Sequence, residues 1–116
     1  MTSSAIAVNL SGQSALVTGA SSGIGAAVAE ALAANGALIW VNHPDEVSAD
    51  AAAAVVSRIT SAGGKAQAIQ ADVSCEADVL KMFREIETAG LDILVNNASA
   101  INLTGTTQTS MKRYDL

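Results

Sequence analysis

Short apolar runs alternate with segments of helical spacing along this chain, and the alternation restricts its fold more than any other feature of the sequence. The runs have the length of buried strands and cover residues 14–17, 37–41, 66–71 and 93–95. The segments between them have helical periodicity and cover residues 23–35, 49–62 and 76–87. This order is typical of a mostly parallel sheet with right-handed crossovers and helices on both faces. The sequence therefore predicts an α/β three-layer sandwich.

The length of 116 residues fits one domain, so we expect residues 1–116 to form a single unit. Residues 111–116 have the pattern of the first turn of a further helix, which implies that the chain stops inside an element. Half of the residues are apolar and only 3% are aromatic, so small aliphatic side chains must build the core. Helical spacing predicts buried stripes of Ile24, Val28, Ala31 and Leu32 on the first helix and of Val79, Leu80, Phe83 and Ile86 on the third.

Charge and cysteine content exclude several classes of function. The net charge of −5 repels phosphate backbones over long range, so nucleic acid is not expected as a partner. The single cysteine, Cys75, cannot form an internal disulfide, and one histidine cannot complete a metal site with it. No signal sequence or membrane-spanning run is found, so a cytoplasmic setting is the default expectation.

Polar residues follow each predicted strand. In the usual 3-2-1-4 strand order, ligands lie beyond the carboxyl ends of the strands, where the order reverses. The sequence therefore predicts one site built from four segments: residues 19–25, then Asn42 and His43, then Asp72 and Val73, then Asn96, Asn97, Ala98 and Ser99.

The first segment is rich in glycine and joins a predicted strand to a predicted helix. Gly19 allows a sharp turn, while Gly23 and Gly25 remove side chains so that backbone N–H groups at the helix start can meet a pyrophosphate. Ser21 and Ser22 can add hydroxyl donors, and Ile24 lies among them. No Gly-Lys-Ser or Gly-Lys-Thr occurs, which excludes the phosphate loop of nucleoside triphosphatases. These features predict a Rossmann-type site for a dinucleotide.

Four motifs resemble those of the short-chain dehydrogenase/reductase family. Residues 18–25 look like its Thr-Gly-x-x-x-Gly-x-Gly fingerprint, and residues 91–98 are similar to its Asn-Asn-Ala-Gly strand end. Asp72 and Val73 resemble its adenine contact, and residues 62–73 its glucose dehydrogenase-like members. In addition, residues 96–101 and 111–116 are similar to its hydroxysteroid dehydrogenase-like branch. The resemblance covers nearly the whole chain. It implies NAD or NADP as cofactor, an alcohol or carbonyl as substrate of a complete enzyme, and a homo-oligomer.

The resemblance also assigns roles to residues and shows two departures. It implies that the Asp72 carboxylate accepts from the adenine amino group, and that residue 99 lies beside the ribose and nicotinamide. Ser99 stands where the family usually has glycine. The family's chemistry uses a tyrosine with a lysine four residues later, assisted by serine and asparagine. Tyr114 is the only tyrosine and has no such lysine, so no catalytic residue is assigned and the chain alone is predicted to be inactive.

Which dinucleotide binds depends on the end of the second strand. An acidic residue there favours NAD and a basic one favours NADP, but Asn42 and His43 give neither signal. Because Asn42 can bond a ribose hydroxyl and Asp45 lies nearby, the sequence favours NAD. His43 precedes Pro44, which is also typical of a solvent-exposed turn. Two other interpretations stay open: a non-catalytic nucleotide- or partner-binding module, and a methyltransferase with a glycine-rich first turn.

Overall fold

The computed structural model describes residues 8–98 and contains strands and helices in strict alternation. The strands are β1 (Ser14–Val17), β2 (Leu38–His43), β3 (Lys65–Gln70) and β4 (Ile93–Val95). The helices are α1 (Gly23–Ala34), α2 (Ala49–Ser61) and α3 (Glu76–Glu87). Each predicted element between residues 14 and 95 is therefore confirmed, with bounds that differ by at most two residues. The predicted helix at residues 111–116 lies outside the described residues.

The four strands form one parallel sheet in the order β3-β2-β1-β4, as the sequence predicts. β1 is buried along its whole length because β2 and β4 cover its two edges. In the described part of the chain, β4 pairs with β1 alone, and Leu94 is 54% exposed. The carboxyl ends of β1 and β4 therefore lie side by side, where the strand order reverses.

Helices cover both faces of the sheet. Side chains of successive strand residues point to opposite faces, so Ala15 and Val17 pack with α1 and α2 while Leu16 packs with α3. Trp40 is buried in the core on the α3 side. No helix in residues 8–98 combines the length and the hydropathy needed to cross a bilayer.

The buried face of α1 differs from the predicted stripe. The buried residues of α1 are small: Gly25, Ala26, Ala29 and Ala33. Val28 and Leu32 pack against the same core, but Ile24 is 76% exposed and Ala31 is also exposed, so the predicted stripe was wrong at these two residues. Small side chains let the helix axis approach the sheet closely, which the spacing of large apolar residues cannot reveal. On α3, likewise, Met82 is buried with Ile86 whereas Leu80 is 52% exposed.

Candidate functional site

The turn between β1 and α1 lies at the carboxyl edge of the sheet and depends on glycine. Gly19 has φ +62° and Gly23 has φ +59°, a conformation that side chains with a Cβ rarely adopt. Among residues 8–98, no atom lies within 4 Å of a Cβ built on Gly23, so the space beside this residue at the helix start is open. The turn therefore presents bare backbone to solvent at the beginning of α1.

The N-terminus of α1 has the properties of an anion site. Ser22 is the N-cap residue, yet its side chain makes no capping hydrogen bond, and the first turn contains no acidic residue. The first N–H groups of a helix have no intrahelical acceptor, and the helix dipole places partial positive charge there. An anionic group can accept hydrogen bonds from these N–H groups without competition from a neighbouring carboxylate.

Thr18 joins the turn to the end of β4. Its Oγ1 accepts hydrogen bonds from the backbone N–H groups of Asn97 and Ala98, both at 2.9 Å. Its own N–H donates to the carbonyl of Val95 at 3.0 Å. Sequence reasoning placed Thr18 in the fingerprint but gave it no contact. Its position at the end of β1 could have indicated these contacts, because the predicted strand order places β1 beside β4.

Two asparagines hold Gly19 from opposite sides. The Asn97 Nδ2 donates to the Gly19 carbonyl at 3.1 Å, and the Asn42 Oδ1 accepts from the Gly19 N–H at 3.1 Å. A Cβ on Gly19 would lie 2.9 Å from the Cα of Ala98, and a Cβ on Gly25 would lie 2.5 Å from the Asn97 Nδ2. The turn is therefore packed too closely against the end of β4 to admit a side chain at either glycine.

Asn42 and His43 are buried rather than presented to a ligand. Asn42 is 1% exposed, and its Nδ2 donates to the carbonyl of Ala71 at 3.1 Å, so both ends of its amide have protein partners. The expected hydrogen bond from this side chain to a ribose hydroxyl does not agree with that geometry. His43 is 5% exposed, and its Nδ1 lies 2.9 Å from the carbonyl oxygen of Asp45. The interpretation of His43 as a solvated turn residue was wrong because β2 continues through it.

Asp72 follows β3 at the same edge. It is exposed, and its Oδ1 accepts hydrogen bonds from the N–H of Ser74 at 2.9 Å and from the Ser74 hydroxyl at 2.6 Å. The Asp72 N–H donates to the Asp78 Oδ2 at 2.9 Å, which fixes the backbone before α3. Val73 and Asn96 line a groove of about 480 Å³ between α3 and the end of β4.

The structure thus brings Gly19, Asn42, Asn97 and Ala98 into direct contact around one turn. Of the remaining predicted residues in the glycine segment, Ser21 is half-buried, whereas Ser22 and Ile24 are exposed. Ser99 lies outside the described residues. Across residues 8–98 no three His, Cys, Asp or Glu side chains are grouped closely enough to hold a metal ion.

Comparison with protein families gives one match over most of the chain: the model described as short chain dehydrogenase matches residues 13–115. An uncharacterised oxidoreductase of Methylorubrum extorquens is 45% identical over 107 residues, which make up 90% of this chain and 42% of that protein. Hydroxysteroid dehydrogenase-like protein 2 of Danio rerio is 43% identical over 115 residues, 92% of this chain and 27% of that protein. The chain therefore spans less than half the length of these two curated relatives.

A relative of similar length also exists. The short-chain dehydrogenase/reductase homolog YusS of Bacillus subtilis is 48% identical over 94 residues, which cover 79% of this chain and 84% of YusS. Among solved structures, a blue fluorescent protein from a metagenomic library, in complex with NADPH, superposes with a TM-score of 0.78 at 37% identity. That superposition covers 91% of this chain and 45% of the other.

Proposed function

The chain belongs to the short-chain dehydrogenase/reductase family, as its motifs predicted, and on this premise we propose that residues 1–116 are a single NAD(P)-binding Rossmann domain. The domain holds the cofactor of an oxidoreductase whose substrate is an alcohol or a carbonyl. Its cofactor site is built from the glycine segment (Gly19, Ser21, Ser22, Gly23, Ile24, Gly25), the ends of β2 and β3 (Asn42, His43, Asp72, Val73) and the end of β4 (Asn96, Asn97, Ala98, Ser99).

One observation carries the proposal: the start of α1 faces open space with uncapped N–H groups and no carboxylate in its first turn. A pyrophosphate fits this position because its oxygens can accept from those N–H groups and its charge is favoured by the helix dipole. Gly23 leaves the room that a Cβ would occupy. When bound, the cofactor supplies the hydride or takes it up, and the residues of this chain bind and orient it.

The adenine end is assigned to Asp72. Its carboxylate is exposed at the end of β3, and its Oδ1 already accepts from Ser74. A carboxylate accepts hydrogen bonds, which is the chemistry that an exocyclic amino group requires. The groove beside Val73 offers apolar surface for one face of a purine ring.

The preference for NAD over NADP that the sequence favoured finds no support. It rested on a hydrogen bond from Asn42 to the ribose, whereas the Asn42 amide is occupied inside the protein. The similar solved structure was obtained with NADPH. The proposal therefore covers both dinucleotides, and the affinities for NADH and NADPH are to be compared by titration.

The proposal for this chain extends to cofactor binding and not to hydride transfer. Residues 1–116 contain no Tyr-x-x-x-Lys motif. A second candidate function is a short non-catalytic nucleotide-binding module, which is favoured by the match to 84% of YusS. The reading frame after Leu116 separates the two: codons that continue into a Tyr-x-x-x-Lys motif favour the enzyme, and an immediate stop codon favours the module.

A pair of variants at the N-cap tests cofactor binding without disturbing the fold. Ser22→Asp places a carboxylate where the pyrophosphate is proposed to sit, whereas Ser22→Asn has nearly the same size and no charge. Both residues are good N-caps, so we expect the urea midpoint to stay the same or rise. We expect NADPH affinity of Ser22→Asp to fall by about tenfold or more from charge repulsion, as measured by fluorescence titration, with NADH titrated in parallel.

The neutral variant is the control, and salt gives a second one. Ser22→Asn should bind more tightly than Ser22→Asp at low salt, since both side chains can cap the helix but only aspartate adds charge. The loss in Ser22→Asp should shrink at high salt because exposed charges are screened over a few ångströms at about 1 M ionic strength. Equal NADPH affinity of Ser22→Asp and the parent at low salt would show that the cofactor does not bind at this helix start.

A further inference from the structure

We propose that Asn42 is a positioning residue of the cofactor site, which acts by holding the pyrophosphate turn and the adenine end at a fixed separation. The inference rests on the proposed function, because it concerns how the same site is kept in shape. It assigns no direct contact between Asn42 and the cofactor. The observation behind it is that one buried amide joins the β1–α1 turn to the end of β3.

Four hydrogen bonds link Asn42 to these two segments. The Oδ1 accepts from the Gly19 N–H at 3.1 Å, and the backbone carbonyl of Asn42 accepts from the Ala20 N–H at 2.8 Å. The Nδ2 donates to the carbonyl of Ala71 at 3.1 Å and to that of Ile69 at 3.3 Å. Ala71 directly precedes Asp72, so the side chain bridges the glycine turn and the residue proposed to bind adenine.

The chemistry of the position requires an amide of this length. The side chain is 1% exposed, so groups that lose their partner here cannot turn to water instead. An aspartate carboxylate can accept from Gly19 but has no hydrogen to donate to two carbonyls, and it would repel them. A leucine of similar size would remove the acceptor for the Gly19 N–H and the donor to the Ile69 and Ala71 carbonyls. Asparagine offers an acceptor on one side and two donors on the other.

The function of this bridge follows from the size of the ligand. A dinucleotide that contacts both the turn and Asp72 binds as one molecule only if the two parts of the site are correctly spaced. Loss of the bridge lets the turn and the end of β3 move independently. Affinity for the whole dinucleotide should then fall much more than affinity for adenosine, which contacts the Asp72 end alone.

The experiment compares Asn42→Asp with the parent protein at two pH values, with NADPH and adenosine as ligands in calorimetric titrations. We expect Asn42→Asp to bind NADPH about tenfold to a hundredfold more weakly at pH 8, the range for leaving buried partners unpaired. Adenosine affinity should fall less than NADPH affinity, because Asp72 keeps its hydrogen bonds to Ser74 and Asp78 while its distance from the glycine turn is no longer fixed. Urea unfolding shows whether each sample is folded under the binding conditions.

Low pH should restore the NADPH affinity of Asn42→Asp if the side chain acts through the hydrogen bonds that an amide makes. Burial between carbonyls should raise the pKa of the carboxyl introduced at position 42, since the charged form is desolvated and lacks donors. Below that pKa the neutral carboxyl has one O–H donor and one C=O acceptor, as the amide does. The described partners of Asn42 are Gly19, Ala20, Ile69, Ala71 and Met82, none of which ionises. The NADPH affinity ratio of variant to parent should therefore recover toward one at pH 5.

A control for simple destabilisation is Val55→Ala on α2. Val55 is fully buried on the opposite face of the sheet from the groove beside Val73, and it belongs to the core between α2 and the sheet. We expect this variant to lose stability and to keep the NADPH affinity of the parent. An equal loss of NADPH affinity in Val55→Ala and Asn42→Asp, or the same loss for adenosine as for NADPH, would overturn the positioning role.

The outcome also separates this inference from the proposed function. If the folded parent binds neither NADPH nor NADH, the proposed function fails and the positioning role falls with it. If the parent binds NADPH and folded Asn42→Asp binds it equally well at pH 8, only the positioning role is overturned. Selective loss of NADPH at pH 8 with recovery at pH 5 supports both.

Discussion

Gly25→Ala tests how closely the cofactor turn is packed. Gly25 lies in the first turn of α1 and does not have a positive φ, so alanine meets no backbone strain and gains about 1 kcal/mol of helix propensity. Its Cβ, however, would lie 2.5 Å from the Asn97 Nδ2 and 3.0 Å from the Cα of Ala20, and it would also contact the Gly19 carbonyl. Overpacking of this kind costs about 1–3 kcal/mol.

The expected balance is a loss of stability. We take about 2 kcal/mol for overpacking and about 1 kcal/mol for the displaced bond from Asn97 to Gly19. After subtraction of the propensity gain, the free energy of unfolding should fall by about 2 kcal/mol. With a urea m-value of about 2 kcal/mol per molar, the unfolding midpoint should drop by about 1 M.

Urea denaturation followed by circular dichroism measures this change, and a double-mutant cycle locates it. Asn97→Ala removes one of the groups that the new Cβ meets, so it should cost about 1 kcal/mol less in the Gly25→Ala background than in the parent. A Gly25→Ala protein at least as stable as the parent would show that helix propensity outweighs packing. In that case the close approach of α1 to Gly19 and Asn97 would be wrong.

Two further substitutions test contacts away from Gly25. Thr18→Val keeps the shape of the side chain but removes the acceptor for two N–H groups at the end of β4, so we expect a loss of about 1–3 kcal/mol in urea unfolding; an unchanged midpoint would contradict those contacts. Trp40→Phe removes a buried Nε1 that has no hydrogen-bond partner within residues 8–98. The cavity left by the smaller ring costs about 1 kcal/mol, and removal of a buried N–H without a partner offsets this cost. The free energy of unfolding should therefore change by less than about 1 kcal/mol. A loss above about 2 kcal/mol in the same assay would contradict this reasoning.

Sequence periodicity was enough to predict the architecture because each element carries its own signal. The apolar run at Ser14–Val17, the glycine turn after it and the helical spacing beyond are local features, and parallel crossovers then restrict the strand order. The alternation of strands and helices also predicted a site at the carboxyl edge of the sheet, because polar residues follow each strand. The face of α1 was only partly predictable in this way, because Val28 and Leu32 pack against the core but Ile24 is exposed and the smaller Ala29 is buried.

The inner contacts of the site depend on residues far apart in the chain. Asn42 binds Gly19 across 23 positions and Ala71 across 29, so its burial follows from the assembled sheet and not from its neighbours in sequence. His43 was misassigned for a related reason: Pro44 indicated a turn, but pairing of β2 with β3 continues through His43. The role of a polar residue at the end of an inner strand therefore cannot be predicted until the neighbouring turn that it contacts is known.

The central claim is that backbone N–H groups at the start of α1 receive the pyrophosphate of a dinucleotide. Titration of the ¹⁵N-labelled protein with NADPH, followed through backbone amide chemical shifts, tests it most directly. The account predicts saturable shifts that are largest at residues 21–25, with a second group at Asp72 and Val73. It would be contradicted if the folded protein showed no shifts, or if they centred on Gly36, Gly63 and Lys65, which line a groove at the amino ends of the strands.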